Sequence, residues 1–76
     1  MLKVSVNVTG MACQMCEKKV NEAIEKNFSV KRVSSDHNKN LTEIICENAP
    51  DAEKLKEIIK ECGFEAGEIK VRKKFL

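Results

Sequence analysis

Leu2-Lys3-Val4-Ser5-Val6-Asn7-Val8-Thr9-Gly10-Met11-Ala12-Cys13-Gln14-Met15-Cys16 carries the pattern that decides how this 76-residue chain folds. Leu2, Val4, Val6 and Val8 alternate with Lys3, Ser5 and Asn7, the period-two signature of a strand with one buried face. Thr9-Gly10 closes the strand. From about Cys16 the period changes. Val20, Ala23 and Ile24 recur at helical spacing, with Glu17, Lys18, Lys19, Glu22 and Glu25 on the other face, which predicts an amphipathic helix ending near Lys26 or Asn27.

Two cysteines at i, i+3 occupy the junction between these periods. The loop presents Cys13 and the first helical turn presents Cys16, so both sulfurs converge near the surface. Unpaired N–H groups at a helix start favour thiolate over thiol, and thiolate is the form that ligates metal or attacks as a nucleophile. Thiolates select Cu(I), Zn(II) and similar soft or borderline ions. A pair of such ligands in an open loop suits an ion of low coordination number, Cu(I) above all.

The rest of the chain supplies a frame. Val30 and Val33 open a second extended segment that runs into the polar stretch Ser34 to Asn40. Leu41 to Glu47, centred on Ile44 and Ile45, reads as a third strand, joined to the second by a hairpin around Asn38 to Asn40. Asn48-Ala49-Pro50-Asp51 reads as a helix start, with Asn48 as cap, Pro50 in the first turn and Asp51 at the positive end. Ala52, Leu55, Ile58, Ile59 and Cys62 line one face, and Gly63 supplies a left-handed stop. Glu68 to Arg72, alternating around Ile69 and Val71, reads as a last strand. The order βαββαβ predicts an α+β, ferredoxin-like sandwich, a four-stranded antiparallel sheet with two helices on one face. No linker or low-complexity stretch interrupts it, so residues 1–76 are expected to form a single domain.

Composition narrows the function classes. Fourteen basic against twelve acidic residues give a net charge of +2, too balanced to imply nucleic acid. Lys70, Arg72, Lys73 and Lys74 are locally basic, but the chain lacks the aromatic platforms of single-strand binders and reads there as a solvated strand edge and tail. No apolar run reaches the ~20 residues of a membrane span, which speaks against direct membrane insertion. The N-terminus lacks the pattern of a signal peptide. A cytoplasmic location with reduced thiols is therefore expected, and Cys-x-x-Cys there reads as ligation or redox chemistry rather than a disulfide framework.

This combination resembles the heavy-metal-associated domain, the module of copper chaperones and of the amino-terminal tails of metal-pumping P-type ATPases. The family's Gly-Met-x-Cys-x-x-Cys is present as Gly10, Met11, Cys13 and Cys16. Val20 and Ile24 match its first helix, Val30 and Val33 its Val-x-x-Val, and Leu55, Ile59 and Gly63-Phe64 its second helix and Gly-aromatic loop. The resemblance implies that Cys13 and Cys16 bind Cu(I), that Met11 lies in the core beneath the loop, and that Phe64 lies against the site. It implies a cytoplasmic metallochaperone, not an enzyme, that passes its ion by thiolate exchange to a metal-transporting P-type ATPase or another Cys-x-x-Cys protein. A start at Met1 and a stop at Leu76 favour a free-standing chaperone over an excised tail. The chain departs from the family pattern at Ala12, where threonine is usual, and at Ser29, where glycine is usual. Ser35 and His37 replace apolar strand residues, which points to a short or frayed second strand, and Cys46 and Cys62 are extra.

Other readings stay open at this stage. Zn(II), Hg(II) and Cd(II) are alternative cargoes, and a thiol-disulfide redox protein is the alternative of a different class. Thioredoxin-like proteins, however, are longer and set a cis-proline against the sulfurs, whereas the only proline here is Pro50. Cys62 reads as a core residue with a third-ligand or cross-linking role as the rival; Cys46 reads as packed in its strand. Met15 is expected to project outwards, where it can contact a partner. His37, the only imidazole, is placed in a hairpin well away from the cysteine loop. Lys18 and Lys19 either balance a bis-thiolate site and steer an acidic partner or form an ordinary solvated face. Exposed cysteine pairs on two copies could share copper in a metal-bridged homodimer.

Overall fold

The alternation of the opening segment becomes β1, Leu2–Thr9, with Val4, Val6 and Val8 fully buried. The structure, a computed structural model, describes residues 1–73. After β1 come α1 (Gln14–Asn27), β2 (Arg32–Asp36), β3 (Leu41–Cys46), α2 (Ala52–Glu61) and β4 (Glu65–Lys73). The sheet order is β2-β3-β1-β4, and every neighbouring pair is antiparallel. This is the ferredoxin-like βαββαβ sandwich. β1 is flanked on both sides, by β3 through Val4↔Ile44 and by β4 through Val4↔Val71.

The core lies between the sheet and the helices. Val20 and Ile24 of α1 and Leu55 and Ile59 of α2 are fully buried against the valines of β1, Ile44 and Cys46. Burial of each such aliphatic side chain stabilises by about 1.5–3 kcal/mol relative to exposure. Thr42 is the buried polar residue among those described, and its hydroxyl lies 2.9 Å from Ser35 Oγ.

Several boundaries differ from the sequence reading, each for a local reason. α2 is capped by Asp51, not Asn48: the Asp51 carboxylate accepts from Glu53 N (2.9 Å) and Lys54 N (3.4 Å), which leaves Pro50 just outside the helix. Ala52, expected on the buried face of α2, is exposed. β4 begins at Glu65, three residues before Glu68; it carries one extra residue opposite Val6–Val8 of β1 (Val6↔Ile69, Val8↔Ala66), a bulge that breaks its alternation there. Val30 precedes β2 rather than opening it. β2 is short but not frayed, since Ser35 is bonded on both sides. Gly63 does end α2, at φ 92°. Lys70, Arg72 and Lys73 are exposed on β4; Lys74 lies outside the described residues. No described helix is long and apolar enough to cross a membrane.

Candidate metal centre

The loop between β1 and α1 is held from below and behind. Gly10 takes φ +103°, a conformation that L side chains rarely adopt, and a Cβ there would stand 3.2 Å from Phe64 Cδ1. The loop thus presses against the aromatic that follows α2. Met11 is 6% exposed and sits in the core cluster, anchoring the loop to the interior. Beyond it the chain rises to Cys13, which is exposed and takes the N-cap position of α1 with extended backbone (φ −161°, ψ 177°). The Cys13 carbonyl accepts from the N–H groups of Cys16 (3.1 Å) and Glu17 (3.2 Å), which closes the first turn. Cys16 is half-buried and packs against the core cluster.

These constraints bring the Cys13 and Cys16 sulfurs to 3.7 Å. With metal–thiolate bonds of about 2.3 Å, that separation subtends about 107° at one ion, and a linear two-coordinate ion asks the sulfurs to part by only about 1 Å. The donor set therefore fits a soft ion, with further coordination directions facing solvent. The Cys16 thiol is held below the ordinary cysteine range, chiefly by hydrogen bonding from the Ala12 backbone and then by the Cys13 side chain. The Lys19 ammonium adds to that pull, and partial burial opposes it. Lys19 Nζ also lies 6.0 Å from the centroid of the Phe64 ring. Met15, 80% exposed, joins Cys16, Lys18, Lys19, Glu22 and Phe64 along one shallow groove.

The remaining candidates fall elsewhere. Cys46 is fully buried in β3, where burial pushes its thiol up. Cys62 is half-buried at the end of α2. Among the described residues, no group of three His, Cys, Asp or Glu side chains gathers, so neither Cys62 nor His37 joins the cysteine pair. His37 is nevertheless not well away from the cysteine loop. β1 and β3 are antiparallel and Asn7 faces Leu41, so the β2–β3 turn must lie at the end of the sheet where β1 delivers the loop. Glu17, the residue after Cys16, accepts hydrogen bonds at Oε2 from His37 N and from His37 Nδ1, both 2.7 Å. Sequence reasoning missed this pair, although the antiparallel order it had already inferred contains the signal.

The profile of the heavy-metal-associated domain matches residues 5–65. The chain belongs to that family. This heavy-metal-associated domain is 34% identical to the copper-binding domain of HMA7, a P-type ATPase, with 88% of this chain and 92% of that one covered at a TM-score of 0.77. It is 27% identical to the yeast copper transporter domain Ccc2a, solved in the apo and Cu(I)-loaded states, with 87% and 92% covered and a TM-score of 0.77. The CopZ metallochaperone shares the fold, at 18% identity, 86% and 98% coverage and a TM-score of 0.77. Comparison with curated protein sequences gives no match.

Proposed function

We propose that this domain carries a single Cu(I) ion on the Cys13 and Cys16 thiolates and passes it to a partner that presents a similar Cys-x-x-Cys. The observation that carries the reading is the convergence of the two sulfurs at 3.7 Å on an exposed helix start, in a chain 34% identical to a copper-binding ATPase domain. A partner thiolate enters on the open side as one sulfur leaves, so the ion moves through three-coordinate intermediates without release to water. Cys13, the more exposed ligand, is the accessible side of the exchange. Cys16, whose thiol is pulled below the ordinary cysteine range, is the retaining side. The domain acts in this reading as one cytoplasmic carrier unit and not as a catalyst, with a metal-transporting ATPase as acceptor.

The test is an anaerobic Cu(I) titration against a colorimetric chelator, run beside Zn(II), on wild type, Cys13→Ser/Cys16→Ser and Cys62→Ser. One Cu(I) per chain, lost in the double variant and unchanged by Cys62→Ser, is expected. Preference for Zn(II) reassigns the cargo. Failure to hold either ion, together with a readily reduced Cys13–Cys16 disulfide, replaces the carrier with a thiol-disulfide protein.

A further inference from the structure

The first turn of α1 lacks the device that usually secures a helix start. A Ser, Thr, Asp or Asn at the N-cap accepts from a first-turn N–H, as Asp51 does for α2. In α1 the position belongs to Cys13, which makes no side-chain cap. The position three after the cap, where a capping box sets an acid, is Cys16, and Glu17 stands one residue beyond it. Its carboxylate instead reaches across to the β2–β3 turn, where it accepts from both the backbone and the ring of His37.

One helical turn further on, the arrangement repeats. Asn21 Oδ1 accepts from Ser35 Oγ at 2.6 Å, and the Ser35 hydroxyl also lies 2.9 Å from the buried Thr42 Oγ1. Glu17 and Asn21 are i, i+4 on one stripe of α1, and Ser35 and His37 are i, i+2 on one side of the extended chain. Four helical residues rise about 6 Å, close to the reach of the two residue steps from Ser35 in β2 to His37 at the start of the turn, so the two contacts follow one another along the seam. The turn itself is fixed to the sheet. Asp36 Oδ1 accepts from Asn38 N (2.9 Å) and Lys39 N (3.3 Å), and Val8 N donates to Asn40 O (2.8 Å).

We propose that Glu17, His37, Asn21 and Ser35 are positioning residues of the metal centre: a two-rung polar ladder that stands in for the missing N-cap and fixes the turn bearing Cys16. The proposal rests on reading Cys13 and Cys16 as the ligand pair. Glu17 follows Cys16 directly, so freeing the outer rung frees the turn that sets the 3.7 Å sulfur separation. The ladder also accounts for the polar residues at Ser35 and His37, where the strand pattern calls for apolar ones.

Cu(I) affinity is measured by anaerobic chelator competition on wild type, His37→Ala, His37→Asn, Ser35→Ala and Ile69→Val, with urea stability for each. His37→Ala removes the ring donor and keeps the backbone N–H; His37→Asn places an amide N–H at the Nδ1 position. Outer-shell partners change metal affinity roughly 10- to 100-fold, and the retained backbone bond sets His37→Ala near the lower bound, about tenfold weaker. His37→Asn is expected to recover most of that loss and Ser35→Ala to show a smaller one. Ile69→Val, remote from the ladder, loses stability and keeps its affinity. Amide hydrogen exchange over residues 16–19 gives a metal-free readout, faster in His37→Ala and restored in His37→Asn. Wild-type affinity in His37→Ala, no recovery in His37→Asn, or an equal loss in Ile69→Val overturns the ladder. If wild type and Cys13→Ser/Cys16→Ser hold copper equally weakly, the carrier reading has failed, and unchanged exchange over 16–19 then overturns the ladder as well.

Discussion

Gly10→Ala separates two physical constraints on the cysteine loop. At φ +103° a side chain brings backbone strain of about 1–3 kcal/mol. The added Cβ also meets Phe64 Cδ1 at 3.2 Å, closer than ordinary van der Waals contact. Pushing the ring aside in a packed setting costs about 1–3 kcal/mol more. The sum places Gly10→Ala about 2–5 kcal/mol below wild type, since strain and crowding act on one site and are relieved together. The assay is urea denaturation of the metal-free, reduced protein followed by circular dichroism, on wild type, Gly10→Ala, Phe64→Ala and the double variant. Removing the ring abolishes the crowding and leaves the strain, so Gly10→Ala is expected to cost about 1 kcal/mol less in the Phe64→Ala background. Equal cost in both backgrounds refutes the crowding argument. A cost below about 0.5 kcal/mol in wild type refutes the strain argument too, since that is the scale of a neutral surface change.

Asp51→Ala should destabilise by about 1 kcal/mol in the same assay while Asn48→Ala does almost nothing; the reverse ranking restores Asn48 as the cap. The Glu17 carboxyl is held below its ordinary value of 4.5, first by the His37 backbone N–H and then by the His37 ring. A folded-state value below the unfolded one gives stability that is intact above pH 4.5 and lost as pH falls through the lower folded value. Urea stability at successive pH values should therefore show an acid-side loss that is reduced in Glu17→Gln, and identical profiles would discard the assignment. Iodoacetamide at neutral pH should modify Cys16 well before the buried Cys46, whose thiol is pushed up, and Lys19→Met should slow Cys16. Peptide mass spectrometry reads this out, and the idea fails if Cys46 keeps pace with Cys16.

Local periodicity makes much of this molecule legible in its sequence. The valines of β1 and the Val20–Ile24 spacing of α1 encode burial directly, and the switch between the two periods marks where the cysteines must stand. Gly63 was legible because a left-handed helix stop leaves a chemical trace in the residue type. What escaped lies in interactions whose cause is distant in sequence. Nothing near His37 reveals that Glu17 will meet it; that follows from strand order. Ser35 and His37 looked like defects in a strand because an apolar pattern cannot represent a seam closed by hydrogen bonds. Asn48 and Asp51 are both competent caps, and only the place where the helix actually begins, after Pro50, decides between them. The early part of β4 was hidden by its bulge, which sets two successive residues out of the expected alternation. For the proposed ligand pair, residue type and spacing single out Cys13 and Cys16 as candidates, whereas the separation of their sulfurs needed the fold.

The register Leu2↔Lys73 sets the first and last described strands side by side at one pole, while β1 delivers the cysteine loop at the other. Seven residue steps of β1 put about 23 Å between those poles. Leu2 and Lys73 thus both lie on the side remote from the sulfurs. A surface that grips this domain along the edge shared by Leu2 and Lys73 therefore leaves the thiol pair on the opposite face, turned outwards.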